Sequence, residues 1–224
     1  MDPLLVGGML LTGGGIALGV WRRFRANAPR RALGGGRAVA LAEAQPGAPI
    51  VIVGRARVLG EPLHGPATGR ACVAYRVCVA DLAGTRIIDE TRAQDFVVED
   101  EGGRALVRTA EHLELLLVMD ATRRSGFLDD ATPGQMALLR RHWREGADDF
   151  GMPRSLQYEE GALEPGERVA VLGVGRVEAA PEAGDGAYRS RAAWLVVAAT
   201  PECPLRVSDD PKALAGVGAS LASA

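Results

Sequence analysis

LQYEEGALEPGERVAVLGVGRV, residues 156–177, is an acidic run led by a tyrosine, then a Pro-Gly turn, then a strand interrupted by glycine. Its second half occurs twice. Residues 165–177 (PGERVAVLGVGRV) align without gaps to residues 46–58 (PGAPIVIVGRARV), with Pro46/Pro165, Gly47/Gly166, Gly54/Gly173, Arg57/Arg176 and Val58/Val177 identical. Ile50/Val169, Ile52/Val171, Val53/Leu172 and Ala56/Gly175 are conservative pairs. In each copy Pro-Gly turns the chain, apolar residues fall at every second position, and the mid-strand glycine lets the backbone bend or another segment approach. Strands of a small curved barrel begin this way. The pattern fits a duplication, and it equally fits two strand entries that converged on one solution.

Working outward, the chain reads as mostly β. Residues 50–59 alternate as a strand, 61–69 (EPLHGPATG) form a proline and glycine loop, and 71–80 alternate again. In that second strand Val73, Tyr75, Val77 and Val79 share one face and Cys72 and Cys78 the other. Residues 87–98 form a run ending in Phe96-Val97-Val98; an acidic turn at 99–103 and a return at 104–107 make 95–107 a hairpin. Leu113, Leu115 and Leu117 continue the apolar alternation. One helix interrupts. Thr132 can cap it, Pro133 suits its first position, Gln135 completes a Thr-x-x-Gln box, and Met136, Leu139 and Trp143 share a face before Gly146 ends it. That face is expected to pack over the barrel. A loose loop at 181–186 precedes a long strand at 188–200 containing Trp194, and residues 211–224 are expected to be a weakly structured tail.

Residues 3–21 (PLLVGGMLLTGGGIALGVW) carry no charge. At about 1.5 Å per residue they just span a ~30 Å hydrocarbon core as a transmembrane helix. Arg22, Arg23, Arg25, Arg30, Arg31 and Arg37 follow, in a basic, glycine-rich linker at 22–37, whereas only Asp2 precedes. The arginines should therefore stay cytoplasmic and, with them, the domain at 38–210, giving a single-pass membrane protein with its C-terminal domain cytoplasmic. A cleaved signal peptide would need a basic region before the apolar one. Arg22, Arg23, Arg25, Arg30 and Arg31 are placed to meet anionic lipid headgroups, each adding about 1 kcal/mol of attraction. Gly15-x-x-x-Gly19 would let two such helices pack closely as a homo-oligomer.

Setting aside Asp2 and the six linker arginines leaves 20 basic and 27 acidic residues, a net charge near −7. That sign opposes a nucleic-acid groove, which needs a basic stripe interleaved with aromatics. Cys72, Cys78 and Cys203 lack C-x-x-C spacing, and His64, His112 and His142 are scattered, so no metal and no cofactor is expected. Asp129-Asp130 and Asp148-Asp149 read as solvated pairs flanking the helix. No nucleophile elbow, phosphate loop or zinc-protease signature occurs, and no catalytic residue is expected. The polar cluster that stands out is Tyr158, Glu159 and Glu160, a candidate binding site if the tyrosine is exposed. Its other reading is a tyrosine packed on the barrel with the glutamates at the rim.

Three segments in order, residues 52–77, 95–107 and 156–175, resemble the GIDE domain, also called the beside-a-membrane (BAM) domain. The shared elements are Gly54, then Pro66 and Gly69 in the loop before Cys72 and Tyr75, then Phe96, Asp100 and Gly103, and finally Tyr158, Glu160, Gly166 and Gly173. That family includes the membrane-anchored mitochondrial ubiquitin ligases and many bacterial membrane proteins. Those ligases carry a C-terminal RING with about eight Cys and His zinc ligands. Here only Cys203 follows Gly166, so ligase activity does not carry over with the resemblance.

The expectation is a mainly β fold, an OB-like β-barrel with an inserted α-helix, preceded by one N-terminal transmembrane helix. The function expected is a non-catalytic, membrane-anchored binding or scaffolding module with a protein partner. The alternatives are an E3 ubiquitin ligase-type protein by family label alone and a nucleic-acid-binding OB module.

Overall fold

The computed structural model describes residues 33, 38–109, 112–126, 130–142, 155–179 and 193–218. Through these run thirteen strands: β1 (Pro49–Val58), β2 (Leu63–His64), β3 (Ala71–Cys72), β4 (Ala74–Asp81), β5 (Arg86–Ala93), β6 (Phe96–Asp100), β7 (Gly103–Arg108), β8 (Leu113–Leu116), β9 (Ala121–Ser125), β10 (Leu156–Leu163), β11 (Arg168–Ala179), β12 (Ala193–Ala198) and β13 (Leu205–Ser208). Helix α1 (Pro133–Arg141) precedes β10 and helix α2 (Pro211–Gly218) follows β13.

Five strands close a barrel. β1 lies antiparallel between β6 and β11, β6 pairs with β7, β7 runs parallel to β12, and β12 returns antiparallel to β11. Its interior is apolar because alternate residues point inward: Ile52, Phe96, Val98, Val107, Val171 and Val197 are all fully buried in one cluster. β13 and β8 extend the sheet from β11, and the Leu113, Leu115, Leu117 face packs against that core. The hairpin expected at 95–107 is present, with Phe96 opposite Val107 and Asp100 opposite Gly103.

The repeated segments pair with each other. Ile52 and Val171, equivalent in the sequence alignment, are also direct partners in the β1–β11 ladder. The copies are therefore related by a local two-fold axis through that pair. The Gly47 N–H donates to the Gly175 carbonyl at 2.8 Å and the Gly166 N–H to the Ala56 carbonyl at 2.7 Å, positions that exchange under the same axis. Gly54 and Gly173 are where neighbouring strands come too close for a side chain. A Cβ on Gly54 would lie 2.5 Å from the Glu99 carbonyl oxygen, and one on Gly173 would lie 2.8 Å from Val197 Cγ1. The symmetry stops at β7, which is antiparallel to β6 but parallel to β12.

The long connections of the barrel build a second sheet, in the order β5-β4-β10-β9. The run expected at 87–98 is two strands, because the chain leaves this sheet at Gln94, whose N–H donates to the Val73 carbonyl at 3.0 Å, and enters the barrel at β6. The inner face carries Tyr75, Val77, Val79, Ile88, Leu156 and Tyr158, and α1 covers it with Leu138 and Leu139. The helix therefore packs on the second sheet and not over the barrel as expected, since the apolar face it needs is supplied by β4 and β10. Its Thr132–Gln135 capping box forms as read from the sequence. Trp143, Gly146 and the loop at 181–186 lie outside the described residues.

Residues 211–218 are not a weakly structured tail. Ala213 and Val217 of α2 are buried with Leu33, Val51, Val53 and Ala170 on the outer face of β1 and β11. Among the described residues no helix is long and apolar enough to cross a membrane. The expected span at 3–21, Arg22, Arg23, Arg25, Arg30, Arg31 and Arg37 lie outside them.

Candidate binding cleft

The loop joining β2 to β3, Gly65 to Arg70, is fixed from beneath by a buried charge. Glu160 on β10 has no exposed surface; its carboxylate accepts the Ala67 N–H at 2.7 Å and the Thr68 hydroxyl. Gly65 leaves the space this requires, since a Cβ there would overlap the carboxylate. The loop closes on itself through Gly65 N–H to the Arg70 carbonyl at 2.9 Å and Gly69 N–H to the Gly65 carbonyl at 2.8 Å, with Gly69 at φ +74°. Arg70 then grips Asp120 with two bonds of 2.8 Å and Glu164 with one of 3.0 Å. A loop of this composition, which sequence alone leaves free, is held at both ends and in the middle.

The opposite wall is the start of α1. Between them lies a cleft of about 440 Å³, within the small-ligand range, lined by Leu63, Pro66, Pro133 and Ala137, with the buried Tyr75 at its floor. At its edge Glu90 gathers four partners: Arg141 at 2.8 Å, His142 at 2.8 Å, the Tyr75 hydroxyl at 2.7 Å and Arg92 at 3.7 Å. Burial alone would raise the Glu90 carboxyl, but hydrogen bonds from Arg141, Tyr75 and His142 hold it down to about 2. Burial, and then the hydrogen bond to Glu90, push the Tyr75 phenol above its ordinary value. Beneath the loop, burial and the nearby Glu160 carboxylate push the Cys72 thiol up to about 12.

Tyr158, Glu159 and Glu160 do not converge. Strand alternation sends Tyr158 and Glu160 to the inner face of β10 and Glu159 to the outer one. Tyr158 is fully buried, its hydroxyl 3.2 Å from Ser125 Oγ, so of the two readings the packed tyrosine holds, although it packs in the second sheet's core and Glu160 is buried with it and not at a rim. Glu159 faces solvent beside Gln157. Cys72 and Cys78 do not share a face either. The chain breaks its alternation at Val73 between β3 and β4, which turns Cys72 into the inner cluster and leaves Cys78 outside, 3.5 Å from Asp89. Pro66, Gly69 and Tyr75 all line the cleft, whereas Gly54, Gly103, Gly166 and Gly173 belong to the barrel and its turns. Sequence reading missed Arg70, Glu90, Arg92 and Arg141. Their partners are mostly distant in the chain, and no local spacing marks them.

A second, wider cavity of about 740 Å³ lies between β10 and α2, lined by Val118, Asp120, Glu167, Asp209 and Leu214 among others. Asp209 accepts the Val118 N–H at 2.8 Å, and burial, with smaller contributions from Glu167 and Asp120, pushes its carboxyl up to about 6. No group of three or more His, Cys, Asp or Glu side chains suited to a metal ion occurs among the described residues.

No protein-family model matches the chain, and no curated protein or solved structure is significantly similar to it.

Proposed function

We propose that this protein is a non-catalytic binding or scaffolding module of the GIDE type, held at the cytoplasmic face of a membrane by residues 3–21, and that it takes its ligand or partner in the cleft between the Gly65–Arg70 loop and α1. The observation that carries this is the state of the groups around the cleft. Tyr75 and Cys72 are held protonated and Glu90 ionised, each well away from neutral pH. General acid–base and nucleophilic chemistry call for a group whose pKa lies near the working pH or whose base is free, whereas Tyr75 and Glu90 are bonded to each other and the Cys72 thiol faces the Leu63 carbonyl. What they do is make a shaped, fixed surface, which is what binding asks for.

The barrel supports an OB-like reading. Taken in chain order, its first strand lies between the second and the fourth, and the third runs parallel to the fifth. The net charge near −7 of residues 38–224 speaks against nucleic acid as the partner. The test is site-directed photocrosslinking in membranes. A crosslinking side chain at Ala137, in the cleft, should capture a discrete species, and the same group at Leu82, an exposed turn residue, should not. Equal capture at both positions, or none at Ala137, would remove the cleft as the binding site.

A further inference from the structure

The cleft is cationic in an otherwise acidic domain. Among the described residues, the charged side chains that line it are Arg92 and Arg141, with no carboxylate between them. Glu90 sits behind, only 11% exposed, and its single negative charge answers two guanidinium groups and the His142 ring. Arg141 takes most of it, through contacts of 2.8 and 3.3 Å. The Arg92 guanidinium is left at 3.7 Å, beyond hydrogen-bond reach, with 53% of the side chain exposed and no side-chain hydrogen bond to any described residue. The Glu160 carboxylate beneath the loop is fully buried and its oxygens are taken by Ala67 and Thr68, so the charge that the cleft presents at its surface is that of Arg92.

On the premise that this cleft is the binding site, we infer that its ligand is a small organic anion, a carboxylate or phosphate head on an apolar body. Arg92 would grip the head with its planar fork, which matches either group in two-point contact. The body would lie along Leu63, Pro133 and Ala137, an apolar wall too short for an extended chain but of the right size for one ring or a short alkyl group. Arg141 adds long-range attraction while its own donors stay on Glu90. A neutral ligand of the same shape would leave the surplus charge uncompensated, and a cation would be repelled.

Amide chemical shifts of the full chain in detergent, titrated with benzoate, phenyl phosphate and neutral benzamide, test this. Benzoate or phenyl phosphate should move the amides of Thr68, Gly134 and Ala137, and benzamide should bind about tenfold or more weakly, with Arg92→Gln removing the difference. Arg92 is exposed, so this variant should fold; Arg86→Gln, on the outer face of the second sheet, is the matching control and should bind as wild type. Benzamide binding as tightly as benzoate, or Arg92→Gln leaving the preference intact, would overturn the anionic class while the cleft stands. If none of the three probes moves these amides, the cleft reading fails and the inference with it. The two probes also separate the heads: benzoate alone marks a carboxylate site, phenyl phosphate alone a phosphate site, and either result upholds an anion.

Discussion

Glu160 is the residue whose removal should tell most about the cleft. It is fully buried and gives its two carboxylate oxygens to the Ala67 N–H and the Thr68 hydroxyl. A hydrogen bond to a charged group contributes about 1.5–3 kcal/mol, and a buried donor left without an acceptor costs about 1–3 kcal/mol. Glu160→Ala loses both bonds, strands both donors and opens a void, while relieving the desolvation of one carboxylate. The net cost should be about 3–5 kcal/mol by the same reckoning. Glu160→Gln keeps one oxygen for the Ala67 N–H, but the Thr68 oxygen already accepts from Arg70 and its hydroxyl loses a charged acceptor, so it should cost about 1–2 kcal/mol. Urea unfolding gives both values, and hydrogen exchange at the Ala67 amide reports the loop directly, since that amide should lose its protection in the alanine variant. An alanine variant within about 1 kcal/mol of wild type, less than one bond to a charged group contributes, with Ala67 still protected, would refute the claim that this carboxylate holds the loop.

Three further outcomes are expected. Gly54→Ala should destabilise more than Gly173→Ala, about 3 against 1–2 kcal/mol by urea unfolding, because the first Cβ meets the Glu99 backbone at 2.5 Å and the second a Val197 methyl at 2.8 Å; the reverse order would contradict the close approach at β6. Asp209→Asn should stabilise at pH 8 and have little effect near pH 4. The carboxyl titrates at 3.8 unfolded and about 6 folded, so the folded state binds the extra proton between them and wild-type stability falls as pH rises through that window, by about 1–3 kcal/mol. A gain independent of pH would show that Asp209 is not strained by its charge. In intact cells a membrane-impermeant thiol reagent should leave Cys72, Cys78 and Cys203 unlabelled, and label them once the membrane is opened and the chain denatured; denaturation is needed because Cys72 is buried and the other two half-buried. Labelling before the membrane is opened would reverse the proposed orientation.

Much of the barrel was legible because barrel strands carry their own signals. Pro-Gly at 46–47 and 165–166 marks each turn, alternation marks each inward face, and Gly54 and Gly173 mark the crossings. The capping box at Thr132 is likewise local, and the helix starts where it says. What local signals cannot carry is which surface a face will meet. Leu139 was expected to be buried, but only the pairing of β4 with β10, from two separate insertions, creates the sheet that receives it together with Leu138. The site was less legible for the same reason. Tyr158-Glu159-Glu160 stood out as a cluster in the chain, yet a strand sends neighbours to opposite faces, and the carboxylate that matters is fixed by a loop about ninety residues away. A short apolar helix at the end of the domain reads as a weak tail until β1 and β11 present Val51, Val53 and Ala170 for Ala213 and Val217 to cover.

The position of the cleft follows from how the barrel is interrupted. One insertion, between the first and second barrel strands, supplies β2 to β5 and the Gly65–Arg70 loop; the other, between the third and fourth, supplies α1 and β10 with Glu160. Neither insertion owns both walls. The loop is locked only when Glu160 arrives from the other insertion, and α1 is seated only when β4 does. Val73, at the base of the first insertion, is tied across to the second by its N–H to the Leu163 carbonyl at 2.9 Å, one residue before the chain turns into the barrel's acidic entry at Glu164. A ligand filling the cleft would therefore contact both insertions at once and stabilise their association. The local two-fold axis of β1 and β11 lies in the barrel, outside this contact, so the symmetric pair of strands supports the two insertions without lining the cleft between them.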